Sequence, residues 1–398
     1  MLATRLNKIK PSPTIAVTTK AKELRAQGKD IIGLGAGEPD FDTHDNIKNA
    51  AIKAINDGHT KYTAVDGIVE LKKAIQAKFK QENNLDFALS EITVGTGGKQ
   101  VLYNAFMASL NPEDEVIIPA PYWVSYPDMV LLAEGKAVIV DCPKENNFKL
   151  TAQQLEANIT AKTKWLILNS PSNPTGASYS YTELEEIAAV VRKYQHVNII
   201  SDDIYEHITY DNFKFYTIAN IAPDLKNRIL TVNGVSKAYA MTGWRIGYAA
   251  GPSKLIQAMA KIQSQSTSNP TSISQYAALE ALNGEQEYLK SRKEAFLKRR
   301  NLVLEKFSEI AGLEPYKAEG AFYIFCSCKD LIGRKDPNGN IIKDCTDFAS
   351  YLLEEALVAV VPGIAFGMKN YFRVSYATSN ENLENACVRI KNACARLS

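Results

Sequence analysis

The stretch RILTVNGVSKAYAMTGWRIG, residues 228–247, decides much of how this chain folds. It begins with an apolar run, 228–232, that is typical of a buried parallel strand. The run ends in a turn rich in glycine and serine, which carries Lys237 and, eight residues later, Arg245. Because ligands of open α/β sheets bind beyond the carboxyl ends of the strands, this turn is a candidate site.

Further apolar runs of the same kind precede this stretch and alternate with helical patterns. The strand-like runs cover 115–118, 137–140, 165–168 and 197–200. Helical periodicity covers 101–110, 181–194 and 255–263. This alternation predicts an α/β fold in which helices pack on both faces of a mostly parallel sheet.

The pattern changes after residues 286–307, whose long, charged and periodic sequence is typical of a connecting helix. Residues 321–325 and 371–375 alternate like strands with one packed face, which predicts a second, smaller α/β lobe completed by the N-terminal segment. A chain of 398 residues exceeds the size of an ordinary single core. The domains that we expect are an N-terminal part of a small domain (1–45), a large domain (46–285) and a small C-terminal domain (286–398).

Bulk composition limits the kinds of partner that the chain is expected to bind and the compartment in which it is expected to lie. The 46 basic and 44 acidic side chains give a net charge of +2, which argues against nucleic-acid or anionic membrane partners. The first residues lack the apolar core of a signal peptide, and no apolar run approaches the roughly 20 residues that span a bilayer. We therefore expect a cytoplasmic protein.

The six cysteines and four histidines match no reactive or metal-binding motif. No CxxC pair occurs, and no group of cysteines and histidines has the spacing of a zinc site. We expect reduced thiols that serve the core, and no metal site.

Lys237 is the first candidate for chemistry. A lysine directly after a buried strand is expected to be desolvated, and a desolvated amine has a lowered pKa and can form a Schiff base. A turn of this length can fold back and set the Arg245 guanidinium beside it, which suits a phosphate-bearing cofactor. A strand-end lysine with a purely structural arginine is the alternative.

Asp202 and Tyr205 follow the strand-like run at 197–200. A carboxylate there could pair with the protonated ring nitrogen of a cofactor, and the phenol could donate to a ring oxygen. Helix N-capping by Asp202 or Asp203 would explain the same residues without chemistry.

Two segments rich in glycine or proline could complete such a site. In VGTGGKQ, 94–100, a turn leads into a helical pattern, so that its backbone N–H groups could hold a phosphate. In NSPSNP, 169–174, two prolines fix the backbone and could aim Asn173 into a site. An ordinary turn and a stiff loop are the respective alternatives.

Arg373 and Trp123 are the remaining candidates. An arginine in an otherwise apolar strand pattern needs a partner, which could be a bound carboxylate gripped by two hydrogen bonds or an internal acid. Trp123, in PYWVSY at 121–126, could stack on a flat ring or simply fill the core.

Read in chain order, these candidates form a series: Asn173, Asp202, Tyr205, Lys237, Arg245 and Arg373. The series resembles the class I and II aminotransferases, which are fold-type I enzymes that depend on pyridoxal phosphate. The resemblance extends from AGEPDF (36–41) to RVSY (373–376). TKY (60–62), GGKQ (97–100) and PYWVSY give it the look of the bacterial Iβ aspartate aminotransferases. It implies a seven-stranded sheet, with the cofactor bound by the large domain.

The resemblance also implies a role for each residue around the cofactor ring. Lys237 would hold the cofactor covalently and act as general base. Asp202 would pair with the ring nitrogen, while Tyr205 and Asn173 would contact the ring oxygen O3′. Trp123 would stack on the ring.

The phosphate of the cofactor would be held from both subunits of a homodimer. The implied ligands within one chain are Ser236, Arg245 and the backbone of Gly98 and Lys99. Tyr62 would reach the phosphate bound by the neighbouring subunit, so that the resemblance predicts a homodimer with shared sites.

Substrate contacts follow from the same resemblance. Arg373 would bind the α-carboxylate with Gly37 beside it, and Trp123 and Asn173 would also touch the substrate. Lys99 occupies the position expected to bind a distal carboxylate. Lys10, in KPS at 10–12, matches a lysine tied in some relatives to prephenate, and a solvated terminal charge is the alternative.

The implied reaction is reversible ping-pong transamination of aspartate with 2-oxoglutarate, which yields oxaloacetate and glutamate. Glutamate or aspartate with prephenate, which yields arogenate, is the implied extension. Pyridoxal-phosphate C–S lyases and aminotransferases for aromatic or neutral amino acids use the same residues and stay open. Two departures from the family are Asp203, where glutamate is common, and Gly234, where many relatives have a phosphate-binding serine.

Overall fold

The structure is a computed structural model of the chain and describes residues 2–11 and 13–398. The α-helices in these residues are α1 Pro13–Ala26, α2 Asp45–Asn56, α3 Val69–Asn83, α4 Gly98–Ser109, α5 Ser125–Leu132, α6 Ala152–Asn158, α7 Tyr181–Lys193, α8 Ile218–Ile221, α9 Ser253–Ser264, α10 Ser272–Asn283, α11 Tyr288–Ser308, α12 Cys345–Glu355 and α13 Asn380–Ala395. Short 3-10 turns lie at Thr4–Lys8, Leu89–Glu91, Lys144–Asn146, Pro223–Arg228, Lys329–Leu331 and Gly363–Phe366.

The strands are β1 Ile32–Gly33, β2 Ile92–Gly95, β3 Glu115–Ala120, β4 Lys136–Asp141, β5 Thr163–Asn169, β6 Asn198–Asp202, β7 Ile229–Gly234, β8 Gly247–Ala250, β9 Glu314–Pro315, β10 Tyr323–Ser327, β11 Val358–Ala359, β12 Val361–Pro362 and β13 Tyr371–Ser375. The main sheet has seven strands in the order β2-β8-β7-β6-β5-β3-β4. Only β8 runs antiparallel to its neighbours β2 and β7, and the other pairs are parallel.

The five strands predicted from apolar runs are confirmed as β3 to β7, with ends that differ by one or two residues. The sequence analysis missed β2 and β8. Each has only four residues and carries a glycine at one end, so neither forms the longer apolar run that predicts a buried strand.

Side chains of β5 show that the main sheet is buried on both faces. Leu166 and Leu168 lie in one hydrophobic core with residues of α2, α3, α7 and α10. Trp165 and Ile167 lie in another core with residues of α4, α5 and α9. Because successive strand residues point to opposite faces, both faces need apolar side chains, which explains the continuous apolar run.

A smaller lobe contains the antiparallel sheet β12-β13-β10-β9 and shares a core with α11, α12 and α13. The N-terminal segment contacts this lobe, since β1 pairs with β11 and the Ser375 amide donates to the Leu34 carbonyl at 2.8 Å. The strand expected at 321–325 lies instead at Tyr323–Ser327. Ala321 has a φ of 58°, a left-handed conformation that no strand accommodates. The domain boundaries at 45 and 285 stay predictions.

The burial of the cysteines and the hydropathy of the helices agree with what the composition predicts. All six cysteines are free and buried, which fits thiols that serve the core. None of the helices in residues 2–11 and 13–398 is long and apolar enough to cross a membrane.

A polar network lies buried between α3 and the carboxyl ends of β6 and β7. The Lys78 ammonium pairs with the Glu206 carboxylate, to which the amides of Asn83 and Asn233 donate at 2.8 and 2.6 Å. Burial would raise the pKa of Glu206, but the Lys78 charge and these hydrogen bonds outweigh it and hold the pKa below its ordinary value. Glu206 therefore stays ionised and paired, as a buried charge requires.

Asp203, three residues before Glu206, lacks such compensation. Its Oδ1 accepts a hydrogen bond from the Ser201 hydroxyl at 2.7 Å. Its Oδ2 is buried without a well-formed hydrogen bond among the described residues. Burial raises the pKa of Asp203 to about 7, and the nearby Glu206 charge adds to the effect, against the Ser201 hydrogen bond and smaller effects of the Thr217 hydroxyl and the Lys78 charge. Ionisation of Asp203 therefore costs stability.

Replacing Asp203 with asparagine should stabilise the protein in a pH-dependent way. The folded state keeps the Asp203 proton up to a pH of about 7, whereas an ordinary aspartate loses it near 3.8. The cost of ionisation therefore grows as the pH rises through this window, and it is complete at pH 8. In urea unfolding, the free energy of unfolding of Asp203→Asn should exceed that of the unaltered protein. This excess should be a few kcal/mol larger at pH 8 than at pH 5. An equal gain at both pH values would contradict a raised pKa.

Candidate active site

A cavity of about 450 Å³ opens where β5, β6 and β7 end. The start of α4, the helix α1, the segment after β1 and the strand β13 also contribute to its walls. Ten of the predicted site residues line it: Gly37, Gly98, Trp123, Asn173, Asp202, Tyr205, Ser236, Lys237, Arg245 and Arg373. The site thus forms at the carboxyl edge of the sheet, where the sequence predicts it.

Lys237 lies in the turn after β7, and its ammonium donates to the Gly37 carbonyl at 2.6 Å. Burial lowers the pKa of Lys237 to about 8, and the charges of Arg373 and Arg245 lower it further, against the carboxylates of Glu38 and Asp202. An amine with this pKa is partly neutral under physiological conditions. It can therefore act as a nucleophile or as a base, which an ordinary lysine does poorly.

Asp202 ends β6 with its carboxylate buried in the cavity wall. The Tyr126 hydroxyl donates to its Oδ2 at 2.6 Å, and the Ile204 amide approaches Oδ1 at 3.4 Å. Burial raises the pKa of Asp202 to about 6, while the Tyr126 hydrogen bond opposes the rise. The carboxylate is therefore ionised at neutral pH and available to a cation. Residues 204–207 form a turn rather than a helix, so that neither Asp202 nor Asp203 caps a helix there.

Arg373, on β13, is fully buried and has two neutral acceptors. Its guanidinium donates to the side-chain oxygen of Asn173 at 2.9 Å and to the Gly35 carbonyl at 2.7 Å. Its Nε is buried without a hydrogen-bond partner among the described residues. No internal acid pairs with it there, contrary to one of the two alternatives. A buried, unneutralised guanidinium is suited to bind an anion.

The turn before α4 and the Arg245 side chain pack so closely that glycine is required. Gly97 has a φ of 80°, and a Cβ there would lie 2.4 Å from an Arg245 nitrogen. A Cβ on Gly247 would lie 2.1 Å from the Gly98 amide. The helix α4 begins at Gly98, so that its free first-turn N–H groups, Ser236 and Arg245 border one end of the cavity. These are the donors that an anionic phosphate takes.

Lys99 does not line the cavity but lies against Trp123, which does. The Lys99 ammonium is 5.0 Å from the centre of the Trp123 ring. Burial lowers the pKa of Lys99, and the Arg245 charge adds to this, while the Asp128 carboxylate opposes it. Lys99 is thus an exposed residue whose ammonium is separated from the cavity only by the Trp123 side chain.

Tyr62 and Lys10 lie apart from the cavity of their own chain. Tyr62 is 91% exposed. Lys10 is exposed as well, and its backbone amide and charge both act on the Asp128 carboxylate. Ser12, in the same KPS stretch, lies outside the described residues.

Several residues of the site escaped the sequence analysis. Tyr126 and Tyr323 contact Asp202 and Tyr205 through their hydroxyls, and α1 lines the cavity with Thr14 and Thr18 among others. Tyr126 lies three residues after Trp123, a spacing that places both on one side of a helical turn. Tyr323 lies in an apolar run and is typical of core in sequence.

Comparison with known proteins agrees with this geometry. Residues 29–390 match the family described as aminotransferase class I and II. The chain is 66% identical to a probable aspartate/prephenate aminotransferase of Rickettsia felis over 100% of this chain and 97% of that one. It is 60% identical to the aspartate/prephenate aminotransferase of Cereibacter sphaeroides, over 100% and 99% of the two chains.

Among solved structures, the aspartate aminotransferase of Rhizobium meliloti superposes with a TM-score of 0.97 at 55% identity, over 100% of both chains. The predicted fold-type I architecture, with its mostly parallel seven-stranded sheet and smaller α/β lobe, is thereby confirmed. The chain belongs to the class I and II aminotransferase family.

Proposed function

We propose that the chain is a pyridoxal-phosphate-dependent aminotransferase that exchanges the amino group between aspartate and 2-oxoglutarate. The observation that carries this proposal is Lys237, a partly buried lysine with a lowered pKa in one cavity with Asp202 and Arg373. The names of the relatives, aspartate/prephenate and aspartate aminotransferase, support the substrate.

The cavity offers matching groups for both ends of the cofactor. The phosphate would bind the first N–H groups of α4, the Ser236 hydroxyl and Arg245, in the open space beside Gly98, where a Cβ would meet nothing within 4 Å. The ring nitrogen would face the buried carboxylate of Asp202. The donor set therefore fits an aromatic cation that carries a phosphate.

Three more side chains would hold the ring. Tyr205 and Asn173 line the cavity and would contact the ring oxygen, while Trp123 would stack on the ring face. Gly234 offers no hydroxyl, so that the phosphate would have one hydrogen bond fewer than in relatives with serine there.

Bound at this site, pyridoxal phosphate would supply an electron sink for the charge that develops when the substrate loses its Cα proton. Lys237 would hold the cofactor and, as a free amine, would take that proton as general base and later donate it as general acid. Burial keeps this amine partly neutral, which a base needs. Asp202, as a carboxylate, would keep the ring nitrogen protonated.

Arg373 would bind the α-carboxylate beside Gly37. On binding, the two carboxylate oxygens would replace the Gly35 carbonyl as hydrogen-bond acceptors of the guanidinium, while Asn173 keeps its hydrogen bond. The negative charge of the carboxylate would neutralise the buried charge of Arg373. Trp123 and Asn173 would border the same substrate.

The distal carboxylate of a dicarboxylic substrate would be bound by Lys99. This ammonium lies over Trp123, the residue proposed to stack on the cofactor. Lys10 and Lys99 both act on Asp128, which supports the proposal that Lys10 serves a second acid, prephenate. The names of the relatives from Rickettsia felis and Cereibacter sphaeroides support prephenate as an acceptor.

We further propose a cytoplasmic homodimer. The exposure of Tyr62 supports its role at the phosphate of the partner subunit's site. Within each chain, residues 46–285 would form the cofactor-binding domain, and residues 1–45 and 286–398 would form the small domain.

Lys237→Ala should abolish transamination. Without the ε-amine the cofactor has no covalent anchor and the Cα proton has no base. We expect no turnover with aspartate and 2-oxoglutarate, and loss of the visible absorbance of the lysine-bound cofactor. Lys22→Ala, which removes a lysine from the rim of the same cavity, is the matched control and should keep that absorbance. Normal turnover in Lys237→Ala, or ammonia release without an oxo acid in the unaltered enzyme, would contradict the proposal.

Lys99→Ala should discriminate between substrates, because Lys99 would meet only the distal carboxylate. We expect kcat/KM for aspartate to fall about 100-fold, the loss of one charged hydrogen bond of 2–3 kcal/mol, and kcat/KM for alanine to change little. Arg373→Ala should reduce both, since every amino acid has an α-carboxylate. Equal losses for aspartate and alanine in Lys99→Ala would show that Lys99 does not bind the distal group.

A further inference from the structure

We infer that Tyr323 is a positioning residue, which fixes the Tyr205 hydroxyl so that its proton points at the bound cofactor. The inference rests on the proposed function, because it concerns how the chain would hold the ring oxygen of pyridoxal phosphate. It assigns a task to a tyrosine that belongs to the smaller lobe and does not itself line the cavity.

The two phenols form a buried pair across the lobes. Tyr205 follows β6 and lines the cavity, while Tyr323 begins β10. Their hydroxyl oxygens are 2.7 Å apart. The ring centres are 5.9 Å apart at an interplanar angle of 79°, an edge-on contact that fixes both rings. Each hydroxyl therefore has a defined neighbour, and only one of the two can donate to the other.

The position of the Arg373 charge favours Tyr323 as the donor. Its guanidinium lies 4.4 Å from the centre of the Tyr323 ring. Burial raises the pKa of Tyr323, and the Arg373 charge opposes that rise as the next cause. Burial also raises the pKa of Tyr205, and the Tyr323 phenol adds to the rise, so that this pKa lies well above its ordinary value although the Arg373 charge opposes it. Tyr323 is therefore the more acidic phenol and the better donor.

The Asp202 carboxylate reinforces this direction, because it raises the pKa of Tyr205. With the Tyr323 proton on the Tyr205 oxygen, the Tyr205 proton is left to point into the cavity. A hydroxyl that accepts one hydrogen bond becomes a stronger donor in the next.

The N-terminal segment holds Tyr323 in place. A Cβ on Gly37 would lie 3.1 Å from the Tyr323 hydroxyl oxygen, so that this close approach favours glycine. The Gly37 carbonyl accepts from Lys237 at 2.6 Å. Tyr323 thus lies between the residue proposed to bind the α-carboxylate, Arg373, and the residue proposed to hold the ring oxygen, Tyr205.

A pH titration of the bound cofactor tests the inference. The enzyme and its variants are loaded with pyridoxal phosphate, and the visible absorbance is followed against pH. A donated hydrogen bond stabilises negative charge on the ring oxygen, so its loss should make the bound cofactor take up a proton at higher pH. Tyr205→Phe should raise this midpoint, and Tyr323→Phe should raise it by less, about half a pH unit.

The double variant separates positioning from a structural role. If Tyr323 acts through the Tyr205 hydroxyl, Tyr323→Phe should add no shift in the Tyr205→Phe background. The control is Tyr351→Phe, which removes a buried hydroxyl that donates to the Ala393 carbonyl at 2.8 Å, away from the cavity. It should not move the midpoint.

Two results would overturn the inference alone: Tyr323→Phe titrates like Tyr351→Phe, or its shift persists undiminished in the Tyr205→Phe background. An unaltered enzyme without any visible absorbance from bound cofactor would overturn the proposed function as well. A failure of the inference about Tyr323 can therefore be distinguished from a failure of the proposed function.

Discussion

The burial of the Lys237 amine at the carboxyl end of β7 is the constraint on which the rest of the site depends. A buried ammonium is costly, and here the charges of Arg373 and Arg245 add to that cost. The single hydrogen bond to the Gly37 carbonyl compensates for only part of it. The cavity therefore favours a neutral amine, and a negatively charged ligand beside it would relieve the excess positive charge.

The buried charge of Lys78, outside the site, is compensated in a different way from the charge of Arg373. The Lys78 ammonium has a carboxylate partner, Glu206, which is itself held by two asparagine amides. Arg373 has only neutral acceptors and an unpartnered Nε among the described residues. Paired charges of the first kind support the fold, whereas the unpaired guanidinium is suited to bind a ligand. The cost of burying a charge without a partner of opposite charge thus distinguishes the structural network from the site.

Much of this could be predicted from the sequence, because the main sheet is buried on both faces. Such strands are continuous apolar runs, and the polar clusters that end three of them meet at one edge. The pairing of Tyr126 with Asp202, and of Tyr323 with Tyr205, could not be predicted. Both join residues distant in the chain, and both tyrosines look like core in sequence. The shifted bounds of β10 depend on the left-handed backbone of Ala321, which non-glycine residues seldom adopt.

The central claim is that the cofactor is anchored on Lys237. Borohydride reduction of the enzyme loaded with pyridoxal phosphate, followed by mass spectrometry of its peptides, tests this claim most directly. The account predicts a single adduct, on the peptide that contains Lys237. Adducts on Lys99 or Lys22 with Lys237 left unmodified, or no adduct in an active enzyme, would contradict it.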